Sequence, residues 1–159
     1  MKVLVFTIGP DRYGLPLAAV TRVLPVLALK QIPLAPPCVA GLMDLHGEPV
    51  PVIDLSTLAG YPPRALWFDT RIVLASYRPA AQALPGRSLS DSAPIGLLAE
   101  HVSGIETLDP ASLRAPGIEG APFLGQVASS PAGLLQLVQV DQLLSAELRA
   151  LLYPAGSAA

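Results

Sequence analysis

The stretch from Gly41 to Leu55 constrains the fold more than any other part of the sequence, because it predicts a β-hairpin whose strands are buried. The run from Val50 to Leu55 is aliphatic and β-branched, as is typical of a buried strand. Gly47 and Pro49 interrupt the stretch as turn residues do. Three polar residues lie at this turn: Asp44, His46 and Glu48. Polar side chains at the mouth of an apolar hairpin are either solvated turn residues or a recognition site.

The remainder of the chain also predicts a mostly β protein. Thirteen glycines and 18 prolines leave little room for long helices and favour short strands joined by turns. The first strand, residues 2–8, is apolar on both faces and is predicted to be covered on both. The other predicted strands are residues 13–17, 20–26, 71–76, 95–99, 102–108, 123–128 and 134–140. We therefore expect an all-β barrel or sandwich.

Helices are expected at three places only. Residues 36–39 could open a single helical turn, residues 54–60 predict a short helix closed by Gly60, and residues 141–152 predict the longest helix. Residues 1–154 are predicted to form one domain and residues 155–159 a tail. Residues 78–94 lack periodicity and predict a mobile loop inside the domain.

Charge and cysteine content exclude several classes of function. The net charge of −2 argues against a nucleic acid as the partner, because binding phosphates needs a basic face. Cys38 is the single cysteine, so no internal disulfide is possible and a reducing compartment fits. No targeting segment or membrane span is visible, so we expect a soluble, cytoplasmic protein without direct membrane insertion.

The sequence offers little catalytic chemistry. It contains neither a nucleophile elbow nor a phosphate-binding loop, and it predicts no cofactor. Asp44, His46 and Glu48 are metal-ligand types that would share one face of a straight strand, but Gly47 and Pro49 are expected to bend the chain there. We therefore predict a binding module rather than an enzyme. The alternative is a small ligand-binding or metal-dependent β-barrel protein that uses this hairpin.

Two further polar positions have a plain interpretation. Arg22 interrupts an apolar run and is expected to point outward. The pair Glu100 and His101 lies where one predicted strand bends into the next, and we expect an exposed bulge there rather than a proton-transfer site.

An ordered set of segments resembles the CheW-type chemotaxis coupling proteins, and it spans the chain from Val3 to Leu152. The segments are LVFxIGxDxYGLP from Leu4, VTRV from Val20, GLMDLHG from Gly41, VPVIDL from Val50, IGLL from Ile95, FLG from Phe123, the strand 134–140, and DQLL from Asp141. Two further segments, GAPFLG from Gly120 and LRALLYP from Leu148, are most similar to the CheW-like couplers of Wsp-type surface-sensing systems.

The resemblance implies a fold of two packed five-stranded β-barrel subdomains with a C-terminal helix, and no catalytic activity. It also implies the partners, which are the cytoplasmic tip of a methyl-accepting receptor and the regulatory domain of a CheA-type histidine kinase. The protein would be recruited to receptor arrays at the inner face of the membrane. In a Wsp-type pathway, the output would be a response regulator that makes cyclic di-GMP. The groove between the two barrels is expected to be apolar and to receive a helical hairpin from the receptor.

The resemblance also identifies a partner-binding surface, and this chain departs from the family there. The residues are Val20, Arg22, Val23, Gly41, Asp44, His46 and Gly47. The family usually has a Glu where this chain has Arg22 and an Arg where it has His46, and those two pair across strands. We expect Arg22 and Asp44 to replace that pair with the charges reversed. Such a reversal would select a cognate partner and predicts poor binding to a kinase dedicated to flagellar chemotaxis.

Overall fold

The structure is a computed structural model that describes residues 1–62, 69–78, 92–116 and 120–154. Nine strands form most of it: β1 Lys2–Ile8, β2 Asp11–Pro16, β3 Val20–Pro25, β4 Val39–Leu45, β5 Glu48–Asp54, β6 Arg71–Tyr77, β7 Ala93–Thr107, β8 Leu124–Ser130 and β9 Gly133–Val138. The two α-helices are α1 Leu55–Leu58 and α2 Ala146–Leu152. Short 3-10 helices cover Leu17–Ala19, Pro110–Ser112 and Val140–Gln142.

The strands form two five-stranded sheets that share β7. In the first sheet, the order is β8-β9-β2-β1-β7, and β2 runs parallel to β9. In the second sheet, the order is β4-β5-β7-β6-β3, and β5 runs parallel to β7. The predicted mostly β fold with two five-stranded halves is confirmed. The strand pairings of the described residues do not close into complete barrels.

Strand alternation divides the apolar residues among three buried clusters. Val3 and Val5 of β1 point into a cluster inside the first sheet, whereas the next residues along, Leu4 and Phe6, point into a central cluster between the sheets. The second sheet does the same, since Ile72 and Leu74 of β6 face a cluster inside that sheet, whereas Val73 between them faces the central cluster. Because side chains alternate along a strand, a strand covered on both faces must be apolar on both faces. The expectation for β1 is confirmed.

The long strand β7 replaces two strands predicted on either side of a bend. Its pairing with β1 moves from Val5 opposite Gly104 to Thr7 opposite Glu100, so extra residues bulge out between those two pairs. His101 lies in this bulge and Gly104 at its edge, with φ of 49° and 133°, values that favour glycine. The bulge bends β7 without ending it, which allows its first half to join one sheet and its second half the other.

Three predictions about local structure need correction or lie outside the description. Residues 36–39 form a non-helical turn, in which the Val39 N–H donates to the Pro36 carbonyl at 2.9 Å. The C-terminal helix starts at Ala146 rather than at Asp141, because Ser145 accepts a hydrogen bond from the Leu148 N–H as its N-cap. The predicted loop 78–94 and the tail 155–159 fall mostly outside the described residues, although β7 already begins at Ala93.

Candidate partner-binding surface

The turn between β4 and β5 is a tight two-residue turn formed by His46 and Gly47. Both have positive φ, 52° and 87°, as the hairpin turns that match strand twist require. The side chain of Asp44 stabilises the turn, since its Oδ1 accepts a hydrogen bond of 2.7 Å from the Gly47 N–H. All three residues are exposed. The predicted hairpin is confirmed, and its turn presents an imidazole and a carboxylate to solvent.

The hairpin does not assemble the metal site considered as an alternative. Leu45 pairs with Glu48 and Asp44 pairs with Pro49, so the side chains of Asp44 and Glu48 lie on opposite faces of the hairpin. Across the described ranges of the chain, no three potential metal-ligating side chains lie close enough together to hold an ion. The turn therefore separates Asp44 from Glu48, although their spacing in the sequence would place them on one face of a straight strand.

Gly41 is buried and permits a close approach within the chain itself. A Cβ at Gly41 would lie 2.6 Å from the carbonyl oxygen of Lys30 and 3.0 Å from the Cβ of Leu29. Its φ of 148° is likewise a value that favours glycine. Lys30 and Leu42 exchange two backbone hydrogen bonds of 2.9 and 2.8 Å beside it. The close approach at Gly41 is thus made to its own chain, and contact with a partner stays a prediction.

Within the described segments, β3 pairs with β6 alone and is therefore an edge strand, with several residues facing solvent. Its pairing with β6 shifts between Val20 and Arg22, which marks a β-bulge at Thr21. The bulge interrupts the alternation, so Thr21, Arg22 and Val23 are exposed in succession. Val23 is 43% exposed, whereas Val20 is half-buried against the central cluster. The outward position expected for Arg22 is confirmed, and the bulge explains why an arginine interrupts an apolar run.

The structure brings the two groups of predicted site residues to the two edges of one sheet. The edges β3 and β4 pack on the same buried cluster through Leu24 and Leu45, and the bridge between Lys30 and Leu42 joins the chain that follows β3 to β4. The predicted replacement of the family's ion pair is not formed. Arg22 and Asp44, which both lie in the described part of the chain, make no ion pair with each other, and Oδ1 of Asp44 accepts the Gly47 N–H.

A groove of about 750 Å³ lies between the two sheets, next to the start of β3. The first sheet contributes Leu137 and Val138, and the second contributes Ser76. The groove is less apolar than expected, because it is also lined by the polar residues Arg78, Ser92, Gln126, Gln139, Asp141 and Gln142. Asp141 accepts a hydrogen bond of 3.1 Å from the Arg78 N–H across the groove.

Two polar contacts were not predicted from the sequence. In the bulge of β7, Nδ1 of His101 lies 2.9 Å from an Asp69 carboxylate oxygen. This hydrogen bond lowers the pKa of the Asp69 carboxyl group. On the first sheet, Arg12 forms an ion pair with Glu106 and donates a hydrogen bond of 3.1 Å to Ser130. The partners are 32 and 94 residues apart in the sequence, so spacing along the chain gave no signal for either pair.

The single cysteine of the chain, Cys38, directly precedes β4. The thiol is half-buried beside β4, and burial raises its pKa. A raised pKa reduces the thiolate fraction that reacts as a nucleophile.

Comparison with known proteins identifies the same family along nearly the whole chain. The model of the CheW-like domain matches residues 2–148. The crystal structure of the scaffolding protein TtCheW from Thermoanaerobacter tengcongensis superposes with a TM-score of 0.75, at 23% sequence identity, over 91% of this chain and 87% of that one. No curated protein sequence matches the chain. None of the helices in the described residues has the length and apolar character needed to cross a membrane.

Proposed function

Because this chain belongs to the CheW-like domain family, we infer that it is a non-catalytic chemotaxis scaffold that couples receptors to a CheA-type histidine kinase. The observation that carries this proposal is the family match over residues 2–148, which includes every strand. The two five-stranded sheets on a common core agree with it. The role needs binding surfaces and no reaction centre, and the polar groups described above hold turns and sheets together.

The proposed partner-binding surface consists of the exposed part of β3 and the β4–β5 turn. An edge strand presents unpaired backbone groups, and a partner can use these together with neighbouring side chains. Val23 supplies apolar contact area beside Arg22, and His46 adds a polar group on the other edge. Two residues stabilise the backbone of this surface. Gly41 allows the close approach of Lys30, and Asp44 accepts a hydrogen bond that stabilises the turn. We assign receptor or kinase binding to this surface without dividing it between them.

The finer proposal is that the pathway is of the Wsp type and controls cyclic di-GMP. Its support is the resemblance of the segments at Gly120 and Leu148 and the presence of Arg22 and His46 where the family usually has Glu and Arg. An exposed charge of reversed sign at an interface attracts a partner that carries the opposite charge there and repels a partner that carries the same charge. The protein would then act in the cytoplasm, recruited to receptor arrays, and a kinase dedicated to flagellar chemotaxis would bind it poorly.

A pull-down from the source organism tests the proposal, with the full chain as bait and peptide identification as the readout. Recovery of a CheA-type kinase and a methyl-accepting receptor supports the scaffold role, and the identity of the receptor names the pathway. If a folded bait recovers neither, the proposal fails. Equal affinity for the recovered kinase and for a flagellar chemotaxis kinase would refute the selective, Wsp-type part alone.

Matched variants locate the surface in the same assay. Val23→Asp places a charge on the exposed edge of β3 and is expected to abolish recovery of one partner. Leu134→Asp is the control, because Leu134 is 69% exposed on β9 of the other sheet and should tolerate the same change. Equal recovery with both variants would exclude the edge of β3 as the binding surface.

A further inference from the structure

A second concave surface lies away from the predicted partner-binding residues. It is a cavity of about 510 Å³ between the β4–β5 hairpin and the end of α2. Its lining is mainly apolar and includes Pro33, Pro49, Pro51, Pro94, Leu42, Leu151, Leu152 and Tyr153. Tyr153 is held in place by stacking on buried Tyr77, with ring centroids 5.8 Å apart, and by donating a hydrogen bond of 3.1 Å to the Pro94 carbonyl. The floor of the cavity is therefore formed before any partner arrives.

The most exposed apolar side chain of the described residues projects next to this cavity. Leu34 is fully exposed and directly follows Pro33, which lines the cavity. It has a φ of 63°, which a leucine rarely adopts, at the third position of a turn closed by a hydrogen bond from the Ala35 N–H to the Ile32 carbonyl. That position favours glycine, so local folding alone does not account for a leucine there.

We propose that two copies of this chain pair through this face, each inserting Leu34 into the cavity of the other. A projecting leucine and an apolar cavity that are adjacent on one surface form a self-complementary patch. If a two-fold axis relates the two copies, one interface places the Leu34 side chain of each copy in the cavity of the other. The cavity is large enough, since an engineered apolar cavity of about 150 Å³ already holds a benzene molecule.

The charges at the rim also favour a second copy as the occupant. Lys30 and Glu48 both line the cavity and both are exposed. Since the rim carries one charge of each sign, a two-fold pair can bring opposite charges of the two copies together. A proline-rich peptide fits less well, because grooves that bind such peptides are lined by aromatic rings and Tyr153 is the single aromatic residue of this lining. Residues 155–159 contain no side chain larger than serine and could not fill an apolar cavity of this size.

Sedimentation velocity of the purified full chain, from micromolar to millimolar concentration, tests the pairing. We expect a concentration-dependent dimer, because the contact is small and the association weak. The decisive variant is Leu34→Gly, which removes the side chain and also relieves its unfavourable φ. It should fold at least as stably as the parent and lower the association constant by about tenfold or more. Leu134→Gly, at another exposed leucine, is the matched control and should leave the association unchanged.

A charge swap provides a second, independent test. Lys30→Glu alone or Glu48→Lys alone places like charges opposite each other and should weaken the dimer, while the double variant should restore it. A chain that stays monomeric at the highest concentration overturns the proposal, as does a Leu34→Gly variant that dimerises like the parent. If the full chain is monomeric and a chain ending at Pro154 dimerises, residues 155–159 cover the cavity and the proposal is also wrong. Loss of kinase or receptor recovery with Leu34→Gly, in a parent that does not self-associate, would assign the face to that partner instead.

Discussion

Gly41 offers the sharpest test of how the predicted partner-binding surface is built, because its replacement by alanine has a cost that can be worked out from the structure. The new Cβ would lie 2.6 Å from the Lys30 carbonyl oxygen, so either β4 or the chain at Lys30 must move. Moving them breaks the two backbone hydrogen bonds between Lys30 and Leu42, which are worth about 1 kcal/mol each. Holding alanine at a φ of 148° adds about 1–3 kcal/mol. We expect Gly41→Ala to lower the free energy of unfolding by about 3–5 kcal/mol.

Gly47→Ala is the matched control, since Gly47 also has a positive φ, but a Cβ there would meet nothing within 4 Å. Its expected cost is the backbone part alone, about 1–2 kcal/mol. Urea unfolding of both variants gives the difference directly, and thermal unfolding should show a gap of several degrees. If the two variants are equally destabilised, the close approach of Lys30 to Gly41 does not hold the edge of the sheet in place. Partner recovery for Gly41→Ala should follow the fraction of folded protein.

Three further predictions concern exposed polar groups. Arg22→Glu should leave the free energy of unfolding within about 0.5 kcal/mol of the parent, because the side chain is exposed, and should weaken binding of the cognate kinase by calorimetry; unchanged affinity would remove Arg22 from the surface. Asp44→Ala should lower stability by about 0.5–1.5 kcal/mol through loss of the hydrogen bond from the Gly47 N–H, and a variant with full stability and full partner affinity would exclude any role for this carboxylate. The Asp69 pKa is lowered in the folded state, so its contribution to stability is present above the pKa of the unfolded chain and is lost as the pH falls through the folded value. In His101→Ala, the Asp69 titration followed by NMR should therefore move up toward the ordinary carboxyl range, and an unmoved titration would mean that His101 does not lower it.

Strand periodicity and turn residues predicted most of the β-strands and hairpins of the fold. The two apolar faces of β1, the hairpin at Gly47, and the cap of α1 by Asp54 are local signals, and each is present in the structure. Asp54 accepts hydrogen bonds from the Ser56 N–H and the Thr57 hydroxyl, which is the geometry of an N-cap. Local patterns thus indicated which faces of a strand are buried and where turns lie, but they did not give the start of α2.

The features that the sequence did not predict depend on contacts between distant parts of the chain. The sequence around Glu100 and His101 predicts a break, but it cannot show that pairing with β1 carries one strand through the bulge. The helix predicted from Asp141 is shorter because the Gln142 N–H bonds to the Gln139 carbonyl in a 3-10 turn that precedes it. The expected pairing of Arg22 with Asp44 was drawn from a family pattern. In the structure, these two residues lie on strands at opposite ends of the strand order of the second sheet, a placement that the pattern did not show.

The order of the strands along the chain has a consequence for how the protein folds during synthesis. All five strands of the second sheet fall between Val20 and the first half of β7, so that sheet can pair as soon as this continuous stretch is available. The first sheet must wait, because β2 pairs with β9 through Arg12 opposite Leu135. Non-local pairing of this kind is slow, and domains generally form in the order in which their segments are made. Until β9 is available, the apolar faces of β1 remain partly uncovered, so the earliest of the nine described strands is among the last to be fully packed.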